Sequence, residues 1–335
     1  MNRILSYLLL LFLFSCKSDI TNNQPEEQQK IFWEQTASIN KLIGGIFIDS
    51  NDNILVSTEY GYLYRSTDKG NTWVNLNNGL LRISIVNVIN SIAVNSMGYI
   101  YVATGSGQIY SSKDNGSSWF EVSGNGIRAN YLIINSKDEI FAVSCCGYEG
   151  SGVYRSIDNG NSWTKPDSII EYFSPSTMCL NSKGQLFAAS TQGVFRSDDS
   201  GETWIKIKDD WITTLAIDSQ DNLFIVNGYS DNKYLSVSVN DGANWDKISS
   251  TNINYIITNS KGQLFAITSN TGVSRSPDKG KTWYQIGSGL TYPLVRCLAT
   301  NSKGYIFAGT GIFEKDVYGD QRNKGEVFRS KESTY

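Results

Sequence analysis

The chain has 335 residues, of which 40% are hydrophobic and 18% charged, as expected for a globular protein with a sizeable core. Its 29 basic and 32 acidic side chains give a net charge of -3 without a long run of either sign, so we expect no nucleic-acid partner. The sequence contains no histidine, which excludes Ser-His-Asp and Cys-His catalytic sites and zinc sites with imidazole ligands. We expect neither a metal nor a cofactor.

The first residues are typical of an export signal. One positive charge, Arg3, precedes an apolar stretch from Ile4 to Phe14 that is shorter than the roughly 20 residues a membrane-spanning helix needs. The stretch ends in Leu13-Phe14-Ser15-Cys16, which resembles the lipobox of bacterial lipoproteins, with Phe14 in place of the usual small residue. The resemblance implies a signal peptide over 1–15, lipid on Cys16, and a place in the outer membrane or on the cell surface, with the periplasmic leaflet as an alternative. A plain signal peptide is the other interpretation.

Residues 16–30 are polar and lack apolar periodicity, which predicts a flexible tether ahead of a folded domain at 31–335. Among the later cysteines, Cys179 and Cys297 fall in apolar strand patterns and are expected to be buried thiols. Cys145 and Cys146 are adjacent in a predicted loop, and the sequence leaves open whether they form a vicinal disulfide.

Two motifs alternate along the folded domain. The first reads Ser-x-Asp-x-Gly-x-Thr-Trp with some variation and occurs six times, at 66–73, 112–119, 156–163, 197–204, 238–245 and 276–283. The second is an Asn-Ser or Asp-Ser turn before a short apolar strand, and its seven copies begin at Asp49, Asn95, Asn135, Asn181, Asp218, Asn259 and Asn301. Residues 31–335 therefore divide into seven units of about 44 residues, a size typical of a four-stranded propeller blade.

The seventh copy of the first motif is divided between the two ends of the domain. Glu326–Glu332 repeats the strand that leads into the motif, and Phe32-Trp33-Glu34 resembles the strand that follows it. Trp33 precedes Asp49 by 16 residues, within the range of 14 to 22 that separates the other motif tryptophans from the next turn. We therefore expect the N-terminal strand to complete the last blade, which removes exposed sheet edges.

These motifs resemble those of the Asp-box (BNR-repeat) propellers over essentially all of residues 31–335. The resemblance implies an all-β fold, a seven-bladed β-propeller of four-stranded antiparallel blades, with each motif tryptophan packed between neighbouring blades. In that family the motif carboxylates lie away from the ligand site, so a structural role is implied for Asp68, Asp114, Asp158, Asp199, Asn240 and Asp278. The arginines that precede several motif serines are also expected to be structural.

Antiparallel geometry predicts where function can reside. If the strands of a blade are lettered a to d from the centre outward, the a–b and c–d turns lie on one face, and the b–c loops and d–a connections lie on the other. Length varies only on this second face, the loop face, where binding residues are expected. The largest insertion, Gly311–Gly325, and the preceding connection predict a recognition surface of Tyr292, Arg296, Glu314, Tyr318 and Arg322. A second cluster joins Tyr148 and Glu149 to Glu171, Tyr172 and Phe173. Solvated loops without a binding role are the alternative for both.

Two functions are compatible with this domain. Asp-box propellers include photosystem II assembly factors and exported bacterial proteins, so the resemblance favours a monomeric, non-catalytic binding or assembly module for a protein or glycan. The alternative is a glycoside hydrolase, sialidase-like or xyloglucanase-like. The sequence lacks the Arg-Ile-Pro motif and the six-blade count of sialidases. Asp209-Asp210-Trp211 offers two carboxylates and an aromatic, but adjacent residues of an extended segment point to opposite sides. We therefore expect no enzymatic activity.

Overall fold

The computed structural model describes residues 31–78, 80, 88–124, 126–144, 151–165, 175–228, 232–250, 252–268, 272–292, 294–315 and 321–334, with no description of the side chains of residues 313–323. The predicted signal peptide and tether, Cys16 among them, lie outside these ranges, as do Cys145 and Cys146. None of the described elements is a helix that could cross a membrane.

The described residues form an all-β structure with one short 3₁₀ turn at Glu59–Gly61. The strands are, in chain order, β1 (Trp33–Gln35); β2 (Ile43–Ile48), β3 (Ile54–Thr58), β4 (Leu63–Ser66) and β5 (Val74–Asn75) in blade one; β6 (Ile89–Val94), β7 (Ile100–Thr104), β8 (Ile109–Ser112) and β9 (Phe120–Glu121) in blade two; β10 (Ala129–Ile134), β11 (Ile140–Ser144) and β12 (Gly152–Ser156) in blade three; β13 (Thr177–Leu180), β14 (Leu186–Ser190), β15 (Gly193–Ser197) and β16 (Ile205–Lys208) in blade four; β17 (Ile212–Ile217), β18 (Leu223–Asn227), β19 (Tyr234–Ser238) and β20 (Asp246–Ser250) in blade five; β21 (Ile253–Thr258), β22 (Leu264–Thr268), β23 (Gly272–Ser276) and β24 (Tyr284–Gln285) in blade six; and β25 (Val295–Thr300), β26 (Ile306–Thr310), β27 (Ile312–Lys315), β28 (Gln321–Lys324) and β29 (Val327–Ser330) in blade seven.

These strands form the predicted seven-bladed propeller. Each of the seven innermost strands contacts the innermost strand of the next blade, and β25 contacts β2, so the ring is closed. Six blades have four strands in the order of an antiparallel meander. Blade three has three strands, and the fourth position shows a single bridge between Arg155 and Thr164.

The N-terminal strand closes the ring as predicted. β1 pairs antiparallel with β29 and is the outermost strand of blade seven, with Trp33 opposite Ser330 and Gln35 opposite Phe328. A buried carboxylate reinforces the closure, since Glu326 accepts hydrogen bonds from the Ser38 hydroxyl and, at 2.9 Å, from the Ile39 backbone amide.

The second strand of each blade explains the apolar runs of the sequence. A blade is covered on both faces by its neighbours, so nearly every side chain of this strand is buried and the period-two alternation of a half-exposed strand is lost. Its second position forms a ring of large, fully buried side chains, namely Leu55, Tyr101, Phe141, Phe187, Phe224, Phe265 and Phe307.

The six repeated Ser-x-Asp or Ser-x-Asn turns, here called box turns, share the same hydrogen bonds from backbone amides, and five of them add a bond from a hydroxyl to the carboxylate. In the first, the Gly70 amide donates to the Ser66 hydroxyl at 2.7 Å, and Asp68 accepts from the Thr72 amide at 2.9 Å and from the Thr72 hydroxyl at 2.7 Å. Each turn places its glycine and the residue before it at positive φ. Glycine is required for space as well, since a Cβ at Gly116 would lie 2.6 Å from the Leu76 Cβ.

The arginines that precede the box turns connect neighbouring blades. Arg65 donates to Asn115 Oδ1 at 2.7 Å, Arg196 to the Asp241 carbonyl at 3.0 Å, and Arg329 to the Lys69 carbonyl at 2.9 Å. Each acceptor lies in the box turn of the following blade. These contacts give the arginines a structural role on this face.

The tryptophans of the box turns differ in the partner of the indole N–H group, and that of Trp245 is buried with no hydrogen-bond partner among the described residues. Trp73, Trp119 and Trp163 donate to carbonyls of the preceding connection or blade, and Trp33 does the same with the Ile286 carbonyl at 2.5 Å. Trp204 and Trp283 instead donate to the glycine carbonyl of their own turn, each at 3.1 Å. The repeat therefore conserves the position of the ring but not the partner of its N–H group.

The box turns predict an acid-sensitive contribution to stability. Hydrogen bonds from the Thr72 side chain, the Thr72 amide and Ser66 lower the pKa of Asp68 to about 2, and the pKa of Asp114 and Asp158 shifts in the same direction for the same reason. A lowered pKa in the folded state stabilises the fold above the ordinary Asp value near 3.9, and this stabilisation is lost as the pH falls toward 2.

Asp68→Asn should therefore flatten the fall in unfolding free energy between about pH 4 and pH 2, while costing less than about 1 kcal/mol at pH 7. Asn240 is the natural precedent, since its Oδ1 accepts from the Ser238 hydroxyl and the Asn244 amide. Urea unfolding at several pH values measures this, with Asp246→Asn, at an exposed position outside the box turns, as the control. A variant with the wild-type pH profile would contradict the assignment.

Candidate binding surfaces

The structure separates two faces as the sequence predicts. On the loop face, the first residue of the b–c loop donates to the last residue of the d–a connection, as Gly105 does to Val88 at 2.6 Å, Gly228 to Trp211 at 2.8 Å and Gly311 to Leu294 at 3.0 Å. The box turns and the a–b turns meet on the opposite face, the box face, where Asn95 lies within hydrogen-bond distance of Asn159.

The box face is occupied by contacts between blades. The serines of three a–b turns donate to the aspartate that sits at positive φ in the next turn: Ser96 to Asp138, Ser182 to Asp221, and Ser302 to Asp52. Carboxylates engaged in this way hold the ring together, and the insertions lie on the loop face.

The blade-seven insertion is a β-ribbon and not the loop that the sequence predicted. β27 and β28 pair antiparallel, with Ile312 opposite Lys324 and Glu314 opposite Arg322. Pairing satisfies the backbone hydrogen bonds of both arms, which an irregular loop of this length would leave to water. Tyr318 and the side chains of Glu314 and Arg322 lie outside the described residues.

The predicted binding residues beside the ribbon are Arg296 on β25 and Tyr292 in the connection before it. Arg296 is exposed on β25, and its Cδ would lie 3.5 Å from a Cβ added to Gly311, so its aliphatic part runs beside the base of the ribbon. Tyr292 is half-buried and packs against the cluster that contains Trp33 and Phe328, which reduces the surface it can offer to a partner. The second predicted cluster, Tyr148 and Glu149 with Glu171, Tyr172 and Phe173, lies outside the described residues.

The two carboxylates of Asp209 and Asp210 have different environments. Asp209 is 86% exposed and forms an ion pair with Lys206 at 2.9 Å. Asp210 accepts from the Trp211 amide at 2.8 Å, from Asn227 Nδ2 at 3.0 Å and from the Tyr234 hydroxyl at 2.5 Å. Burial, and then the bond to Asp210, raise the pKa of Tyr234 to about 12. Asp210 therefore fixes the loops of blade five, and the Trp211 ring beside it is 43% exposed.

A cavity of about 440 Å³ runs along the inner strands of blades three to seven. It extends from Ser176 and Thr213 at the loop-face end to Thr258 and Thr300 at the box-face end, and no charged residue lines it. Its volume is within the range of small-molecule sites, which is about 300–1,000 Å³. The sequence analysis did not predict this site.

One sequence signal marks the cavity. The inner-strand position paired with the fourth residue of each second strand carries a small or polar residue or a tyrosine, namely Gly45, Ser91, Tyr131, Thr177, Thr214, Tyr255 and Cys297. Four of them, Tyr131, Thr177, Thr214 and Tyr255, line the cavity. Burial raises the pKa of Tyr131 and, to about 12, that of the Cys297 thiol, so both groups are neutral at physiological pH. Of the two thiols expected to be buried, Cys179 lines the cavity and Cys297 does not, and both are half-buried. Burial raises the pKa of the Cys179 thiol.

In the described part of the chain, no group of three or more His, Cys, Asp and Glu side chains is arranged to hold a metal ion.

The chain matches no protein-family model and no curated protein. Solved structures match it over most of its length. YCF48 from Cyanidioschyzon merolae aligns with a TM-score of 0.68 at 12% identity, covering 89% of this chain and 98% of that chain.

A structure of YCF48 bound to D1 peptide aligns with a TM-score of 0.66 at 13% identity, covering 89% of this chain and 96% of that one. The GH74 xyloglucanase from Xanthomonas campestris aligns with a TM-score of 0.63 at 14% identity, covering 83% of this chain and 53% of that one. At these identities the likeness shows the propeller fold alone, shared by peptide-binding and glycan-cleaving proteins.

Proposed function

We propose that this protein is a non-catalytic binding module, exported and tethered to a membrane, that captures a protein partner on its loop face. The observation that carries the proposal is the asymmetry of the propeller. The box face is occupied by contacts between blades, whereas the loop face carries the β-ribbon of blade seven beside the exposed Arg296. A YCF48 propeller holds a D1 peptide, which supports a polypeptide as the partner; a glycan is the other ligand class.

The site chemistry favours binding over hydrolysis. A glycosidase needs two carboxyl groups about 5–9.5 Å apart across the scissile bond. Of the two adjacent carboxylates on the loop face of blade five, Asp210 is engaged by three donors and Asp209 projects into solvent. The likeness to GH74 xyloglucanases keeps glycan hydrolysis as the alternative, and a substrate panel decides between the two functions.

The ribbon is the first target for mutation. Replacing Gly311–Gly325 with a tight turn should leave the fold intact, because Ser190 and Gly193 pair across the short b–c turn of blade four without such an insertion. The variant should lose capture of the partner from a membrane extract by more than tenfold, since it lacks the proposed contact surface. Binding retained at the wild-type level would move the site to the second cluster, and turnover of a sialoside or β-glucan panel would overturn the non-catalytic function.

The tether depends on Cys16. Metabolic labelling with a palmitate analogue should mark the wild type and leave Cys16→Ala unlabelled, because the lipid is attached to that thiol and amine in proteins with a lipobox. Cys179→Ala, which changes a thiol in the folded domain, serves as the matched control and should label fully. Equal labelling of the wild type and Cys16→Ala would exclude lipidation at this position.

A further inference from the structure

The central cavity has features of a binding site beyond those on the loop face. Thr214 is 3% exposed and lines the cavity, yet its hydroxyl has no hydrogen-bond partner among the described residues. Because Thr214 lines the cavity, its hydroxyl is available to bond to a ligand there. Tyr255 lines the cavity as well, and its hydroxyl forms no hydrogen bond with the described residues.

Tyr255 lies deep in the ring although 40% of its surface is accessible. Its accessible surface meets the cavity, and the surrounding protein raises its pKa, with a smaller contribution from Tyr131. Tyr131 also lines the cavity, where it bonds to Thr177. The cavity therefore contains two neutral phenol rings with apolar faces and polar tips.

Other hydroxyls of the wall present acceptors. Thr213 donates its proton to the Val226 carbonyl at 3.1 Å, Thr258 to the Ile217 carbonyl at 2.5 Å, and Thr300 to the Thr258 carbonyl at 3.2 Å. A hydroxyl that has donated its only proton to the backbone offers its remaining lone pairs to a ligand. The wall thus combines free donors at Thr214 and Tyr255 with acceptors at these three threonines.

We propose that this cavity binds a small, uncharged, hydroxyl-rich ligand of the size of one or two sugar rings, recognised by Thr214 and Tyr255. Groups that both donate and accept match a polyol, whose hydroxyls do the same, and the two tyrosine rings pack against its C–H faces. The cavity volume of about 440 Å³ equals that of roughly fifteen liquid water molecules, and this volume limits the ligand to about one or two sugar rings.

A charged ligand does not fit this wall. No lysine, arginine, aspartate or glutamate lines the cavity, so a carboxylate or ammonium group would be desolvated without a counter-ion. The same cost opposes insertion of a polypeptide terminus, which carries a charge. The ligand class is therefore distinct from the protein partner proposed for the loop face.

Saturation-transfer NMR on the full folded domain, with cellobiose, maltose and lactose as neutral probes and glucuronate as the charged comparator, tests the proposal. At least one neutral probe should bind, and glucuronate should bind at least tenfold more weakly. Tyr255→Phe and Thr214→Val should each weaken binding about three- to tenfold, the effect of losing one hydrogen bond. Thr214→Ser keeps the hydroxyl and should bind within twofold of the wild type. Tyr284→Phe, on the outer strand β24, should not change binding.

Absence of binding by all three neutral probes, wild-type affinity in Tyr255→Phe and Thr214→Val, or equal binding of glucuronate would each overturn the proposal. Unchanged melting temperatures separate lost recognition from lost folding. Capture of a partner by the loop face should persist in Tyr255→Phe and fail in the ribbon deletion. The two sites can therefore fail independently.

Discussion

Trp33→Ala is expected to lower the free energy of unfolding by about 3–5 kcal/mol, the range for removing a large buried aromatic side chain. Trp33 is 1% exposed, donates its indole N–H to the Ile286 carbonyl at 2.5 Å, and contacts Phe32 edge-on at 5.1 Å between ring centres. It joins blade six to the strand that completes blade seven. The substitution therefore creates a cavity at the closure of the ring and leaves the Ile286 carbonyl without its donor.

Thermal unfolding provides the measurement, and a decrease in melting temperature of about 5–8 °C is expected. Trp211→Ala removes a side chain of the same size from an exposed position, where it is 43% accessible, and should cost less than about 1 kcal/mol. Deleting residues 31–37 should have at least the effect of Trp33→Ala, because the pairing of β1 with β29 is lost as well. Equal melting temperatures for the Trp33→Ala and Trp211→Ala variants would show that closure does not depend on this ring.

The closure of the ring could be predicted from the sequence because each repeat keeps a similar number of residues between its tryptophan and the next Asn-Ser or Asp-Ser turn. The number of residues between Trp33 and Asp49 matched the spacing of the complete repeats, and an antiparallel meander assigns each turn to one face. Nothing beyond chain order and strand alternation is needed for such a prediction. The seven blades, the two faces and the pairing of β1 with β29 are confirmed for this reason.

The sites were harder to predict because they depend on side-chain partners. The sequence predicted Tyr292 as part of a recognition surface, and it could not show that the ring is half-buried beside Trp33, because this depends on the packing of the closed ring. The cavity was missed because its polar positions are spread one per blade. Thr214 and Tyr255 are about 40 residues apart in the chain, and only the ring brings them to one wall.

The neighbours Asp209 and Asp210 provide the second large prediction, since the same substitution should strongly reduce stability at Asp210 and leave it almost unchanged at Asp209. Asp210→Ala removes the acceptor for the Trp211 amide, Asn227 Nδ2 and the Tyr234 hydroxyl, and Asn227 is fully buried. Buried donors left without partners cost about 1–3 kcal/mol each, so we expect a loss of roughly 3 kcal/mol. Asp209→Ala removes only an exposed ion pair with Lys206 and should change stability by less than about 0.5 kcal/mol.

Urea unfolding of both variants, in parallel with assays on a β-glucan panel, distinguishes a structural role from a catalytic one. Removal of a structural carboxylate lowers the free energy of unfolding. Removal of a catalytic carboxylate abolishes turnover and can leave the protein folded. Asp210→Ala should therefore unfold at lower urea concentration, and neither the wild type nor Asp209→Ala should cleave the glucans. Equal stability of the two variants would contradict the role assigned to Asp210. Wild-type turnover that disappears in a fully stable Asp209→Ala protein would identify Asp209 as a catalytic residue and replace the binding function with hydrolysis.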